Sequence, residues 1–136
     1  MKHILVTGCG GAPTINFVRS LRLADPNRER YYIVGVDADT YTVHRSECDK
    51  NYICPKATDP QYISYILEII RKEQIHFLHT QPEQEVYVVG KHREIIREAG
   101  CALFMPRQET IEMLRDKYDS YEVWEKKNIT VPKNIK

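Results

Sequence analysis

The chain has 136 residues, 42% of them apolar, and 20 Lys and Arg against 19 Asp and Glu give a net charge of +1. That length suits one domain with one real core, and a near-neutral charge exerts no global pull on nucleic acid. The apolar runs are only a few residues long, far short of the ~20 that span a bilayer, and Ile4, Leu5 and Val6 are too few to form a secretory h-region.

In chain order, HILVT (3–7) predicts a buried strand, short, β-branched and stopped by glycine. A helix over 14–24 follows from Ile15, Val18 and Leu21, and Asp25-Pro26-Asn27 ends it. YYIVGV (31–36) is a second strand that runs into Asp37, and the polar stretch after it suggests one helical turn near 43–47. NYIC (51–54) is a short third strand. Thr58-Asp59-Pro60 then signals a helix start, with Asp59 or Thr58 as the cap, and Ile63, Ile66, Leu67 and Ile70 make the apolar stripe of that helix. IHFLHT (75–80) predicts a fourth strand, 83–98 a helix stopped by Gly100, and CALFM (101–105) a fifth strand closed by Pro106. One or two short helices fill 108–127, and NITVPKNIK reads as a connector.

Strands that alternate with helices, and are apolar throughout, predict an α/β fold: a doubly wound, mainly parallel five-stranded, Rossmann-like sheet. Right-handed crossovers put the C-terminal ends of all strands on one edge, where ligands bind in this architecture. The loop 8–13, Asp37 with Asp39, the segment 55–58 and TQPEQE (80–85) all fall on that edge.

Cys9, Cys48, Cys54 and Cys101 include no C-x-x-C pair and no zinc-ribbon spacing. In a chain with this much core they read as reduced thiols of a cytoplasmic protein. His76 and His79, three apart in an expected strand, face opposite sides and read as strand-end residues rather than a metal pair. No bound metal is expected.

Gly8, Gly10 and Gly11 permit a tight turn and close backbone approach, and the helix that follows aims its N–H groups at whatever sits there. Three readings stay open: a substrate or anion loop, a plain strand-to-helix turn, or a dinucleotide site. G-x-G-x-x-G would need a glycine where Pro13 stands. Asp37, however, ends the second strand as a ribose-binding acid would. If the loop seats a small anion, the amides of residues 10–12 and 14–15 are its expected donors. Gln81, Glu83 and Glu85 crowd the first turn of a helix, either as partners of its dipole or as a polar wall that orients a substrate amine or hydroxyl.

The stretch ETIEMLRDKYDSYEVWEKKNITVPK (109–133) is similar to the junction that opens the nucleotide-binding part of ATP-grasp enzymes. These are carboxylate–amine ligases that include biotin carboxylase and the large subunit of carbamoyl-phosphate synthase. ILVTGCGGAPTINFVRSL, IVGVDAD and HTQPEQEV resemble the matching elements of the family's N-terminal domain, so the resemblance covers essentially the whole chain. It implies a pre-ATP-grasp domain over 1–115 and a junction over 116–136. The substrate side would be Gly8, Gly10, Gly11, Ala12, Asp37, Gln81 and Glu83, holding a small-molecule carboxylate or amine. Lys117 would match the junction lysine that reaches the phosphates of ATP. ATP and Mg2+ would belong to the remainder of the ligase, with none expected bound to these residues alone and little activity from them alone. The family chemistry is acyl-phosphate formation followed by attack of an amine. The other readings are an NAD(P)-binding domain of an oxidoreductase and a non-catalytic binding module.

Overall fold

β1 (Lys2–Thr7) is the centre of the molecule. Leu5 points to one face of the sheet, and Ile4 and Val6 point to the other, as the two-residue period requires. The structure, a computed structural model, describes residues 1–132; the end of the expected connector, 133–136, lies outside the described residues. After β1 come α1 (Ala12–Ala24), β2 (Tyr31–Asp37), a single 3-10 turn (Thr42–Arg45), β3 (Lys50–Ile53) and α2 (Tyr62–Lys72). β4 (Phe77–His79), α3 (Glu83–Lys91), α4 (Arg93–Glu98), β5 (Ala102–Leu103), α5 (Gln108–Met113) and α6 (Lys117–Lys126) complete the described chain.

The strand order is β3-β2-β1-β4-β5, and every pairing is parallel. Both faces are covered. Tyr62, Ile63, Ile66, Ile69 and Ile70 of α2 join Leu5, Val34 and Leu78 on one face, together with Val89 and Ile96. Val18 of α1 and Val43 of the 3-10 turn cover Ile4, Val6 and Ile33 on the other. The predicted doubly wound parallel fold is thus the observed one. The order changes direction at β1, whose neighbours are β2 and β4, and that is where a crevice opens in such sheets.

Four elements differ from the sequence reading. β4 and β5 are shorter than 75–80 and 101–105, because the amides of Ile75 and Cys101 close the preceding helices onto Ile70 O (2.9 Å) and Ile96 O (3.2 Å). This is the six-to-one closure of a helix C-terminus, made by a left-handed residue just before: Gln74 at φ 52° and Gly100 at φ 83°. α2 starts at Tyr62 rather than at Pro60. The Asp59 carboxylate caps a preceding turn by accepting from Gln61 N (2.8 Å). The helix expected over 83–98 breaks at His92, whose amide bonds three residues back to Val89 O (3.1 Å). Arg93 holds the break by donating to Gly90 O (2.9 Å) and Pro106 O (2.8 Å).

The two left-handed positions give a paired test. A Cβ at Gly100 meets nothing within 4 Å, so Gly100→Ala should lose only the conformational cost, about 1 kcal/mol. Gln74→Gly should move the urea midpoint the opposite way. Equal effects of the two substitutions would show that the backbone conformations are not those described.

Candidate functional site

At the C-terminal end of β1 the chain turns back on itself. Gly8 takes φ 56°, and a side chain there would also strike the Pro82 ring. The Cys9 amide bonds Val36 O (3.1 Å), Gly11 N bonds Gly8 O (2.9 Å), and Gly10 N donates to Asp37 Oδ2 (3.0 Å). Asp37 Oδ1 accepts from Asp39 N (3.0 Å), so one buried carboxylate ties the glycine turn to the loop after β2. Asp39 Oδ1 in turn accepts from Tyr41 N (2.7 Å) and Thr42 N (3.2 Å). A Cβ on Gly10 would run into the Thr42 carbonyl, so the two loops are in backbone contact.

These loops enclose a cleft of ≈ 590 Å³. Its floor is Gly8, Gly10, Gly11, Asp37 and Glu85, and Pro82 forms one side. Its outer wall carries Asp39, Tyr41, Arg45 and Lys56. Tyr41 is 86% exposed and stands at the mouth as an aromatic surface free to lie against a ligand. The cleft therefore has an acidic, buried floor and a rim with two cations.

Glu85 is the cleft carboxyl that the fold alters strongly. It is 8% exposed, and burial pushes its carboxyl up from 4.5 to about 7, with the nearby Asp37 charge adding to the rise. The Thr7 and Tyr62 hydroxyls lie against it and pull the other way, favouring the ionised form. Yet Thr7 Oγ1, Tyr62 OH and Glu85 Oε2 are all buried without a closed hydrogen bond to another described group. Burial also raises the Cys9 and Cys54 thiols to about 12, so both are inert as nucleophiles near neutrality.

The structure brings together Gly8, Gly10, Gly11 and Asp37 from the predicted site and leaves the others outside the cleft lining. Ala12 is exposed as the first residue of α1. Gln81 is exposed and bonds His79 Nε2 (3.1 Å), whose ring stacks on Phe17 at 3.8 Å. Glu83 faces a separate groove with Val86, Pro106 and Ile111. Lys117 begins α6, exposed, in a third groove beside Leu114, Tyr121 and Trp124.

The expected anion donors also differ. The amides of Gly10, Gly11 and Ile15 have internal acceptors, Ile15 N on Gly11 O at 3.0 Å. Ala12 and Thr14 retain the first-turn N–H groups that have no acceptor inside the helix, and Pro13 has none to give. Among the described residues no group of three or more His, Cys, Asp or Glu side chains could hold a metal ion. No helix among them is long and apolar enough to cross a membrane.

Sequence reasoning grouped Glu85 with Gln81 and Glu83 but carried only Gln81 and Glu83 into the substrate side, and it passed over Tyr41 and Arg45. A signal for Glu85 did exist. It lies four residues before the buried Val89, so it shares the inward face of the helix.

A doubly wound domain with a polar cleft at its switch point is the class of protein that this geometry defines. The chain belongs to the PylC-like N-terminal domain family, whose model matches residues 4–104. Solved structures agree in fold. N5-carboxyaminoimidazole ribonucleotide synthetase from Thermotoga maritima is 17% identical over 98% of this chain and 32% of its own, with a TM-score of 0.62. L-amino acid ligase from Bacillus licheniformis is 14% identical over 97% of this chain and 32% of its own, with a TM-score of 0.67. dTDP-glucose 4,6-dehydratase from Bacillus anthracis, solved with NAD, matches over only 76% of this chain at 17% identity and a TM-score of 0.57. The chain spans about a third of the length of each of these structures. A comparison with curated protein sequences found no match.

Proposed function

We propose that this chain is the substrate-side domain of an ATP-dependent carboxylate–amine ligase of the ATP-grasp type, with residues 1–115 as the pre-ATP-grasp domain and 116–136 as the junction to the remainder of the ligase. The observation that carries this reading is the cleft itself. Its lining joins the buried Glu85 carboxyl, the exposed Arg45 and Lys56 cations and a glycine turn with close backbone approach. A small molecule with an amine at the floor and an anionic group at the rim is held at both ends by this charge pattern. Tyr41 would cover it at the mouth.

ATP and Mg2+ belong to this reading, and the described residues fit them only in part. Lys117 is an exposed cation with no ion pair among the described residues and is able to meet a phosphate, while the magnesium acids would have to come from elsewhere in the ligase. ATP supplies the activation of a carboxylate; these residues bind, orient and partly dehydrate the other reactant. A cytoplasmic setting suits the four cysteines, which are all free.

The test is ATP-dependent phosphate release by this chain joined to its ATP-grasp domain, over a panel of small amines and carboxylates. Release that requires one amine–carboxylate pair, with KM raised about tenfold or more by Arg45→Ala or Lys56→Ala, is the expected result. No release with any pair sinks the ligase reading. Residues 1–136 alone should bind neither ATP nor NAD(H) in the micromolar range, because one charged contact cannot offset the cost of immobilising a nucleotide. Calorimetry checks this, and micromolar NAD(H) binding would favour the oxidoreductase reading.

A further inference from the structure

Three polar atoms under the cleft floor are left over by the fold. Thr7 Oγ1 at the end of β1, Tyr62 OH at the start of α2 and Glu85 Oε2 in the first turn of α3 are buried, adjacent and without closed hydrogen bonds to described groups. Tyr62 and Thr7 are both 0% exposed. A phenylalanine and a valine would fill the same space and leave no buried hydroxyl unpaired. Packing alone therefore gives no reason for either hydroxyl.

What the hydroxyls match is the ionised form of Glu85. A carboxylate takes O–H donors on both oxygens in charge-assisted bonds; a neutral carboxyl also finds an acceptor in either hydroxyl oxygen, but the bonds it makes are weaker. The surroundings of Glu85 are arranged on that balance. Asp37 from the end of β2 repels its charge, and so does any thiolate formed at Cys54, just after β3. The Arg45 and Lys56 cations line the same cleft, and no ion pair links either of them to Glu85 among the described residues. Glu85 therefore has no cationic partner among the described residues.

We propose that Thr7 and Tyr62 are positioning residues for Glu85, and that their hydroxyls turn onto its carboxylate when the ammonium group of a primary amine engages that carboxylate from the cleft. This rests on reading the cleft as the seat of an amine-bearing substrate. The step is a proton balance: the carboxyl of Glu85 gives its proton to solvent, and the resulting carboxylate accepts from the ammonium on the cleft side and from the two hydroxyls behind. No bond to carbon forms or breaks. The hydroxyls never touch the ligand; they decide the charge and aim of the group that does.

The test follows the Glu85 side-chain carboxyl resonance against pH in the 136-residue chain labelled with 13C-glutamate. Wild type, Tyr62→Phe and Thr7→Val are titrated with ethylammonium, with ethanol and tetramethylammonium as controls. In wild type, ethylammonium should lower the titration midpoint of Glu85, with a dissociation constant in the millimolar range or weaker, as fits three heavy atoms. Neither control should do so. Both variants should melt at or above the wild-type temperature, titrate Glu85 at higher pH without ligand, and bind ethylammonium roughly tenfold more weakly. A lower melting temperature with an unmoved Glu85 midpoint would make the hydroxyls merely structural and overturn the proposal. So would a Glu85 resonance blind to ethylammonium, or one equally sensitive to tetramethylammonium. The ligase reading is separable: phosphate release with an unmoved midpoint sinks only the positioning role, and a moved midpoint without phosphate release sinks only the ligase.

Discussion

Gly10→Ala should lower the unfolding free energy by about 3 kcal/mol, at the upper end of overpacking costs, and the melting temperature by roughly 10 °C. The added methyl would meet the Thr42 carbonyl and Cβ, and neither can step aside cheaply. Thr42 is pinned by its amide to Asp39 Oδ1 (3.2 Å), and Gly10 by its amide to Asp37 Oδ2 (3.0 Å). Gly11→Ala is the control. Its methyl would meet Gly8 O at 3.2 Å and Pro13 Cδ at 3.9 Å, and its backbone already lies in a region open to any residue. It should cost well under half as much. Thermal melts of the two variants decide the matter, and near-equal losses would mean that the Gly10 and Thr42 backbones are not in contact.

The second large effect is a pH dependence. Glu85 titrates at about 7 in the fold against 4.5 for the ordinary carboxyl, so between those values the folded chain keeps a proton that the unfolded chain has given up. The stability from this group is fully present below pH 4.5 and is lost as pH rises to about 7, and the total is about 3 kcal/mol. Glu85→Gln removes this slope. The variant should gain on wild type by that amount between pH 4.5 and 7.5, read as diverging urea midpoints. Parallel curves would show that water or a counter-charge already solvates Glu85.

β1, α1 and β2 were legible because their apolar residues keep one period each and are bounded by Gly8, Asp25 and Asp37. The ends of β4 and β5 were not. Ile75 and Cys101 are apolar and suit a strand, yet their amides are spent on closing helices. Gly100 advertises such a closure, whereas Gln74 adopts the same left-handed backbone with no mark in the sequence. The break at His92 depends on Arg93 reaching Pro106, a contact between elements that no local pattern encodes.

The site divides in the same way. The glycine turn and Asp37 could be read from spacing along the chain. Arg45 and Tyr41 come from an irregular polar loop, where only the bonds to Asp39 fix which side chains face inward. Glu85 and Glu83 are alike in type and two apart, and helix phase alone sends one under the cleft floor and the other to a different groove.

Asp37 also acts as a tethered competitor. Its carboxylate already occupies the Gly10 amide, the donor that a bound diphosphate would claim in a turn of this shape. Being part of the same chain, it competes at an effective concentration that free phosphate cannot match. At that amide the acceptor is thus supplied from within the chain. A ligand can use the cleft without contesting it, but a dinucleotide would first have to evict Asp37 and loosen Asp39 with it.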